Sequence, residues 1–210
     1  MATSLDNLIR APDGTKLWIL KLGTLEIDAA WFKRGGSTST LSNPNPVNER
    51  RKVSMYGLLI QHPEEGLILW ETGGGRNYSE IAGAPVNDIF AQVDENPEED
   101  LEKQIQKCGF ELKDVKMIIM GHLHLDHSGG LTLFQGLNVP IVVHELELKN
   151  ALYSVATGYD IGAYLPHYLD FQYNWQPWSG DEYEIAQGIT LRHMPGHTPG
   201  LAIMQLNLKE

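Results

Sequence analysis

The chain has 210 residues, 42% of them hydrophobic and 20% charged, with a formal net charge of −11. That is long enough to bury a sizeable core as one domain. The acidic balance argues against a nucleic-acid partner, which needs clustered Lys and Arg to neutralise phosphates. No apolar run approaches the roughly 20 residues that a membrane-spanning helix requires.

The polar N-terminus, Met1 to Ala11, lacks an apolar stretch followed by a small-residue cleavage site, so no secretory signal is read there. The lone cysteine, Cys108, allows no intrachain disulfide. It suits a reducing compartment, and a cytoplasmic location is expected. A single domain over residues 1–210 is expected, because no composition shift marks a boundary.

Strand-like runs at Lys16 to Leu22 and Leu25 to Ala30 flank Gly23-Thr24, which reads as a tight turn. The Gly-, Ser-, Asn- and Pro-rich stretch from Lys33 to Asn48 reads as a long loop, and Arg50, Arg51 and Lys52 as a solvated loop after it. Tyr56 to Gln61 and Leu67 to Glu71 form an expected hairpin around Pro63-Glu64-Glu65-Gly66. Asn96-Pro97-Glu98-Glu99-Asp100 supplies a cap, a first-turn proline and acids for the positive end of a helix dipole. Leu101, Ile105 and Cys108 then mark one buried helical face, ended by Gly109.

Val115 to Met120 is a continuous apolar run, the pattern of a strand covered on both faces. Pro140 to Val143 is expected to be a second such strand, followed by a helix over Glu145 to Tyr153. Ile189 to His193 and Leu201 to Leu206 are the last expected strands. Hairpins first and strand–helix alternation later point to a mixed α/β layered fold.

The segment Gly121-His122-Leu123-His124-Leu125-Asp126-His127-Ser128-Gly129-Gly130 follows the buried strand directly. Imidazole and carboxylate donors suit zinc, with iron, manganese and cobalt as alternatives. His122 and His124, two apart, can point one way in extended backbone. Asp126 and His127, past the bend, can face a neighbouring point, which suggests two metal ions. Gly129-Gly130 is expected to let the backbone turn sharply before a helix at Leu131 to Phe134. Met194-Pro195-Gly196-His197-Thr198-Pro199-Gly200 brackets one further histidine between Pro-Gly turns, and His197 would complete a three-histidine site.

His-Leu-His-Leu-Asp-His followed by Gly-His-Thr-Pro-Gly resembles the metallo-β-lactamase superfamily. The resemblance implies an αββα sandwich. It also implies His122, His124 and His197 on one metal, with Asp126 and His127 on a second. Glu71-Thr72-Gly73-Gly74 resembles the family's Asp-Thr-Gly element, with Glu71 where Asp is usual, a residue that supports the site from outside. Leu165-Pro166-His167-Tyr168 and its spacing to His197 are similar to acyl-homoserine lactonases and to fungal enzymes that open lactone or lactam rings.

The implied activity is metal-dependent opening of a cyclic ester or amide by an activated water, with Asp126 orienting it and moving its proton. A glyoxalase-II-like thioesterase and a catalytically silent metal-binding module are the alternatives. The partner is a small-molecule substrate, with no nucleic acid or membrane, and an oligomer is possible. Family members carry a metal-bridging aspartate and a final histidine beyond the Gly-His-Thr-Pro-Gly turn. This chain ends at Glu210 before either, so the second half of the sandwich is expected to be incomplete.

His62, His144, His167 and His193 read as surface or hydrogen-bonded histidines. Tyr153, Tyr159, Tyr164, Tyr168, Tyr173, Trp175 and Trp178 form either packing of an irregular segment or an apolar substrate wall. Trp31 and Phe32 pose the same question.

Overall fold

The computed structural model describes residues 9–33, 37–160 and 163–209. Residues 1–8 of the polar N-terminus and 34–36 of the expected loop lie outside the described residues, as does the side chain of Phe32.

In chain order the elements are β1 (Lys16–Asp28), α1 (Ala29–Phe32), β2 (Arg50–His62), β3 (Gly66–Trp70), α2 (Tyr78–Ile89), β4 (Ala91–Val93), α3 (Leu101–Lys107), β5 (Val115–Ile119), α4 (Leu125–Ser128), β6 (Pro140–His144), α5 (Glu145–Thr157), β7 (Asn174–Trp178), β8 (Glu182–Ala186), β9 (Ile189–His193) and β10 (Ala202–Leu206). Two sheets result. The larger runs β4-β1-β2-β3-β5-β6-β7, and the smaller β10-β9-β8. Pairing is antiparallel from β4 to β3 and parallel from β3 through β7. The smaller sheet is antiparallel throughout.

The central strands are covered on both faces, as their apolar runs require. Ile118 and Ile141 enter one core with Leu59, Leu69, Ile105, Leu131 and Ala151, which joins the helices to the large sheet. Ile119 and Val142 enter a second core with Ile60, Ile68, Ile189, Leu191 and Ala202, between the sheets. None of the residues in that second core comes from a helix. The described architecture is thus a helical layer and two sheets, matching the expected mixed α/β layered fold. Among the described residues no helix is long and apolar enough to cross a membrane.

Three local expectations are corrected. Gly23-Thr24 is not a hairpin turn, because β1 runs through it and pairs with β2 from Lys16↔Gln61 to Asp28↔Arg50. The register slips between Lys21 and Thr24, and Gly23 takes a φ of +117° in a bulge. Arg50, Arg51 and Lys52 are strand, not loop. Their exposed side chains pair with Glu26, Glu49 and Asp94.

The expected helix start splits. Asn96 caps a single 3-10 turn, and Asp100 accepts from Glu102 N–H as the true cap of α3. Cys108 is half-buried against the helical core, as its place on the apolar stripe implies.

Candidate metal centre

Parallel pairing of β3 with β5 brings their C-terminal ends side by side, where α/β sheets gather functional loops. The loop after β3 carries Glu71 and the loop after β5 carries His122 to His127. The β9–β10 loop adds His197, and the Ala202 N–H donates to the Gly121 carbonyl at 2.8 Å, tying the start of β10 to this edge.

The five residues singled out in the sequence come together here. One ring nitrogen from each of His122, His124 and His197 lies within 4.8 Å of the others. The His122 ring centroid is 4.7 Å from that of His124, 4.9 Å from His197 and 4.0 Å from His127. His127 Nε2 is 3.4 Å from Asp126 Oδ2. Asp126 and His127 sit on the single turn α4, past the bend that the sequence suggested.

Burial pushes the His122 imidazole pKa far down, and neighbouring His127 and His124 push the same way. Burial also lowers His124, to about 4. Both rings are therefore neutral at pH 7, the form that offers a lone pair to a metal. Their Nε2 atoms are buried and have no hydrogen-bond partner among the described residues. Buried polar atoms are ordinarily satisfied. Two such atoms converging with a third imidazole fit a nitrogen-seeking cation such as zinc.

Burial also lowers His127, but Asp126 and then Glu71 outweigh it and hold the ring well above its ordinary value. Asp126 is raised by burial and lowered more strongly by His127, with a net shift downward.

Glu71 takes the supporting place. Its Oε1 accepts from the Gly121 N–H at 2.8 Å, and Oε2 lies 3.1 Å from His127 Nδ1. Glu71 adopts a left-handed backbone, φ +61°, which is uncommon for a residue with a side chain. Around it, the His127 carbonyl accepts from Thr72 N–H and Thr72 Oγ1, and Gly129 N–H donates to the Gly73 carbonyl.

Gly129 and Gly130 do not turn the chain through a left-handed conformation; Gly129 is helical at φ −63°. Their role is close approach. A Cβ on Gly129 would fall 1.9 Å from the Gly74 carbonyl oxygen, and one on Gly130 2.4 Å from that of Thr72. The run that follows is a 3-10 turn, Gly129–Phe134.

Residues 56–209 match the family model described as Metallo-beta-lactamase superfamily. The chain belongs to the metallo-β-lactamase superfamily. An N-acyl homoserine lactonase from Bacillus sp is 35% identical over 141 residues, which is 65% of this chain and 52% of that protein. One from Bacillus cereus is 29% identical over 190 residues, 88% of this chain and 67% of that one.

Among solved structures, an N-acyl homoserine lactone hydrolase with the product N-hexanoyl-L-homoserine bound at its catalytic metal centre superposes with a TM-score of 0.72 at 25% identity. It covers 96% of this chain and 72% of that one. The chain spans about half the length of the Bacillus sp lactonase, 52%.

Sequence reasoning missed Glu147, which is fully buried on α5 beside this metallo-β-lactamase centre. The signal was an acid on the stripe Glu147, Ala151, Ser154, the buried residues of that helix. The remaining histidines lie outside the cluster. His62 bonds to the Gln187 carbonyl, His144 caps α5 and stacks on His193 with centroids 4.0 Å apart, and His167 is exposed. Tyr164, Tyr168, Tyr173 and Trp178 are buried as packing, whereas Tyr153, Tyr159 and Trp31 are exposed.

Proposed function

We propose that this chain forms the metal-holding part of a lactone hydrolase, with N-acyl homoserine lactones as the substrate class. The observation that carries the proposal is the convergence of three imidazoles, two of them with buried, unpartnered Nε2 atoms. The likeness to lactonases across most of the described chain supports the choice of a cyclic ester.

His122, His124 and His197 would hold one zinc ion, and Asp126 with His127 a second. Bound zinc supplies Lewis acidity that polarises the ester carbonyl and draws the pKa of water towards about 7. The chain's own groups do the rest. The buried imidazoles stay neutral and so stay available. Glu71 accepts the Nδ1 proton of His127 and leaves Nε2 facing the centre. The Asp126 carboxylate keeps about a third of its surface exposed (32%), so it can accept a hydrogen bond from water entering the site and orient it. The small-molecule partner and a cytoplasmic setting belong to the same proposal, the latter resting on the single half-buried Cys108.

The test is ring opening by the zinc-replete chain. N-acyl homoserine lactones of short and medium acyl length are followed by product chromatography, beside a glutathione thioester. Faster turnover of the lactones supports the proposal, and selective thioester cleavage replaces it with the thioesterase reading. A zinc complement with no turnover of either leaves the silent metal-binding module.

A further inference from the structure

The three-histidine cluster is assembled from two loops far apart in sequence, and a single carboxylate joins them. Glu147 projects from the first turn of α5 and is 0% exposed. Its Oε1 accepts from the Leu123 N–H at 2.9 Å and the Tyr164 hydroxyl at 3.0 Å. Its Oε2 accepts from the Thr198 hydroxyl at 2.5 Å. Leu123 lies between His122 and His124, and Thr198 follows His197. Tyr164 adds a second restraint, with its ring edge-on to His124 at 4.7 Å and its hydroxyl accepting from Asn150 Nδ2.

The fit around this bridge is tight on the far side as well. Thr198 is 3% exposed. A Cβ on Gly200 would fall 2.0 Å from the Glu147 backbone nitrogen, so the His197 loop lies directly on the start of α5. Among the described residues no Lys or Arg pairs with Glu147. A buried carboxylate with no cationic partner is costly unless hydrogen bonds satisfy it. Here three donors do so, and two of them belong to the loops that carry the ligands.

We infer that Glu147 is a positioning residue for the metal centre, holding the His122–His124 loop and the His197 loop in register through Leu123 and Thr198. The inference rests on the three-histidine zinc site proposed above. It makes a specific demand on hydrogen bonding rather than on charge. In Glu147→Gln the amide oxygen can accept from Leu123 and Tyr164, while the amide nitrogen donates to the Thr198 hydroxyl, which can accept as well as donate. Thr198→Val keeps the side-chain shape and cuts only the link to the His197 loop.

The experiment measures zinc affinity of the full 210-residue chain by chelator competition, the visible spectrum of the cobalt-substituted protein, and the melting temperature of the metal-free protein. Thr198→Val is expected to weaken zinc at least tenfold and to change the cobalt spectrum, while Glu147→Gln stays within about threefold of wild type. The metal-free melting temperature shows that each variant folds. Wild-type affinity in Thr198→Val overturns the inference. So does a Glu147→Gln that binds as weakly as Thr198→Val, since charge rather than geometry would then matter. If the wild-type chain itself binds no zinc, the three-histidine site fails, which is a different result from either.

Discussion

Glu71 and His127 meet across the two loops of the site, with Glu71 Oε2 3.1 Å from His127 Nδ1 and Oε1 on the Gly121 N–H. The carboxylate therefore sets the tautomer of a proposed ligand and satisfies a buried backbone donor together. Glu71→Gln keeps the second contact through its amide oxygen, but its NH2 faces the Nδ1 proton. Supporting contacts of this kind are worth about 10–100-fold in metal affinity. That loss is expected for the ion held by His127, with little change in fold. Zinc competition checks it, and 15N shifts of the metal-free His127 ring followed against pH should show its pKa lowered, because one of the two carboxylates that raise it is gone. Unchanged affinity and an unchanged His127 titration would remove Glu71 from the site.

The close approach of the two glycine-bearing loops is testable through Gly129. A Cβ there meets the Gly74 carbonyl oxygen at 1.9 Å and the Gly74 carbonyl carbon at 2.2 Å, both of them backbone. No flexible side chain can yield. Gly129→Ala should cost about 1–3 kcal/mol, as overpacking does. It should also displace the Asp126–His127 turn from Glu71. A denaturant melt at wild-type stability would contradict the packing.

Much of the site was legible in the sequence because its ligands lie in short, unbroken motifs. His122 to His127 follow a strand whose apolar run is itself a signal, and His197 sits between turn residues. What stayed hidden depends on partners distant in the chain. Gly23 looks like a hairpin turn until β2 is seen pairing on both sides of it. The strands β7 and β8 were hidden in an aromatic, polar segment. Each has only one buried residue, Trp178 and Ala186, so no period-2 pattern shows. Gly129 looked like a turn former because its neighbour, Gly74, is 55 residues away. Glu147 carries no local signal of its role, since only the fold shows that Leu123 and Thr198 donate to it.

Asp100 gives a pH dependence away from the metal centre. Burial raises its carboxyl, but the Arg76 guanidinium, at 2.6 and 2.7 Å, and the backbone N–H groups of Lys103 and Glu102 outweigh that and hold it below 3.8. A carboxylate depressed in the folded state contributes stability above its unfolded pKa, and loses it as pH falls through the folded value. Arg76 is about half exposed (47%), so the contribution at pH 7 is under about 1 kcal/mol. Asp100→Asn keeps a good cap for α3 and removes only the ion pair. Its melting temperature should lie slightly below wild type at pH 7, with the gap closing below about pH 4. A constant gap down to pH 2 would show that the ion pair is not its source.

Metal removal separates the three-histidine cluster from the fold that carries it. A ligand binding only the native state at 100 times its Kd adds about 2.7 kcal/mol. For a domain of this size that is a rise of roughly 5–11 °C in melting temperature, at 2–4 °C per kcal/mol. Zinc should raise the wild-type midpoint by that order, and chelator should reverse it. His197 is exposed, on a loop between β9 and β10, with its ring centroid 4.9 Å from that of His122 and 4.7 Å from that of His124. His197→Ala should therefore leave the chelator-treated midpoint within about 1 °C of wild type, as surface substitutions do, and abolish most of the zinc-induced rise. A full rise in His197→Ala would mean that His122 and His124 hold zinc without the β9–β10 loop, and the three-histidine assignment would fall.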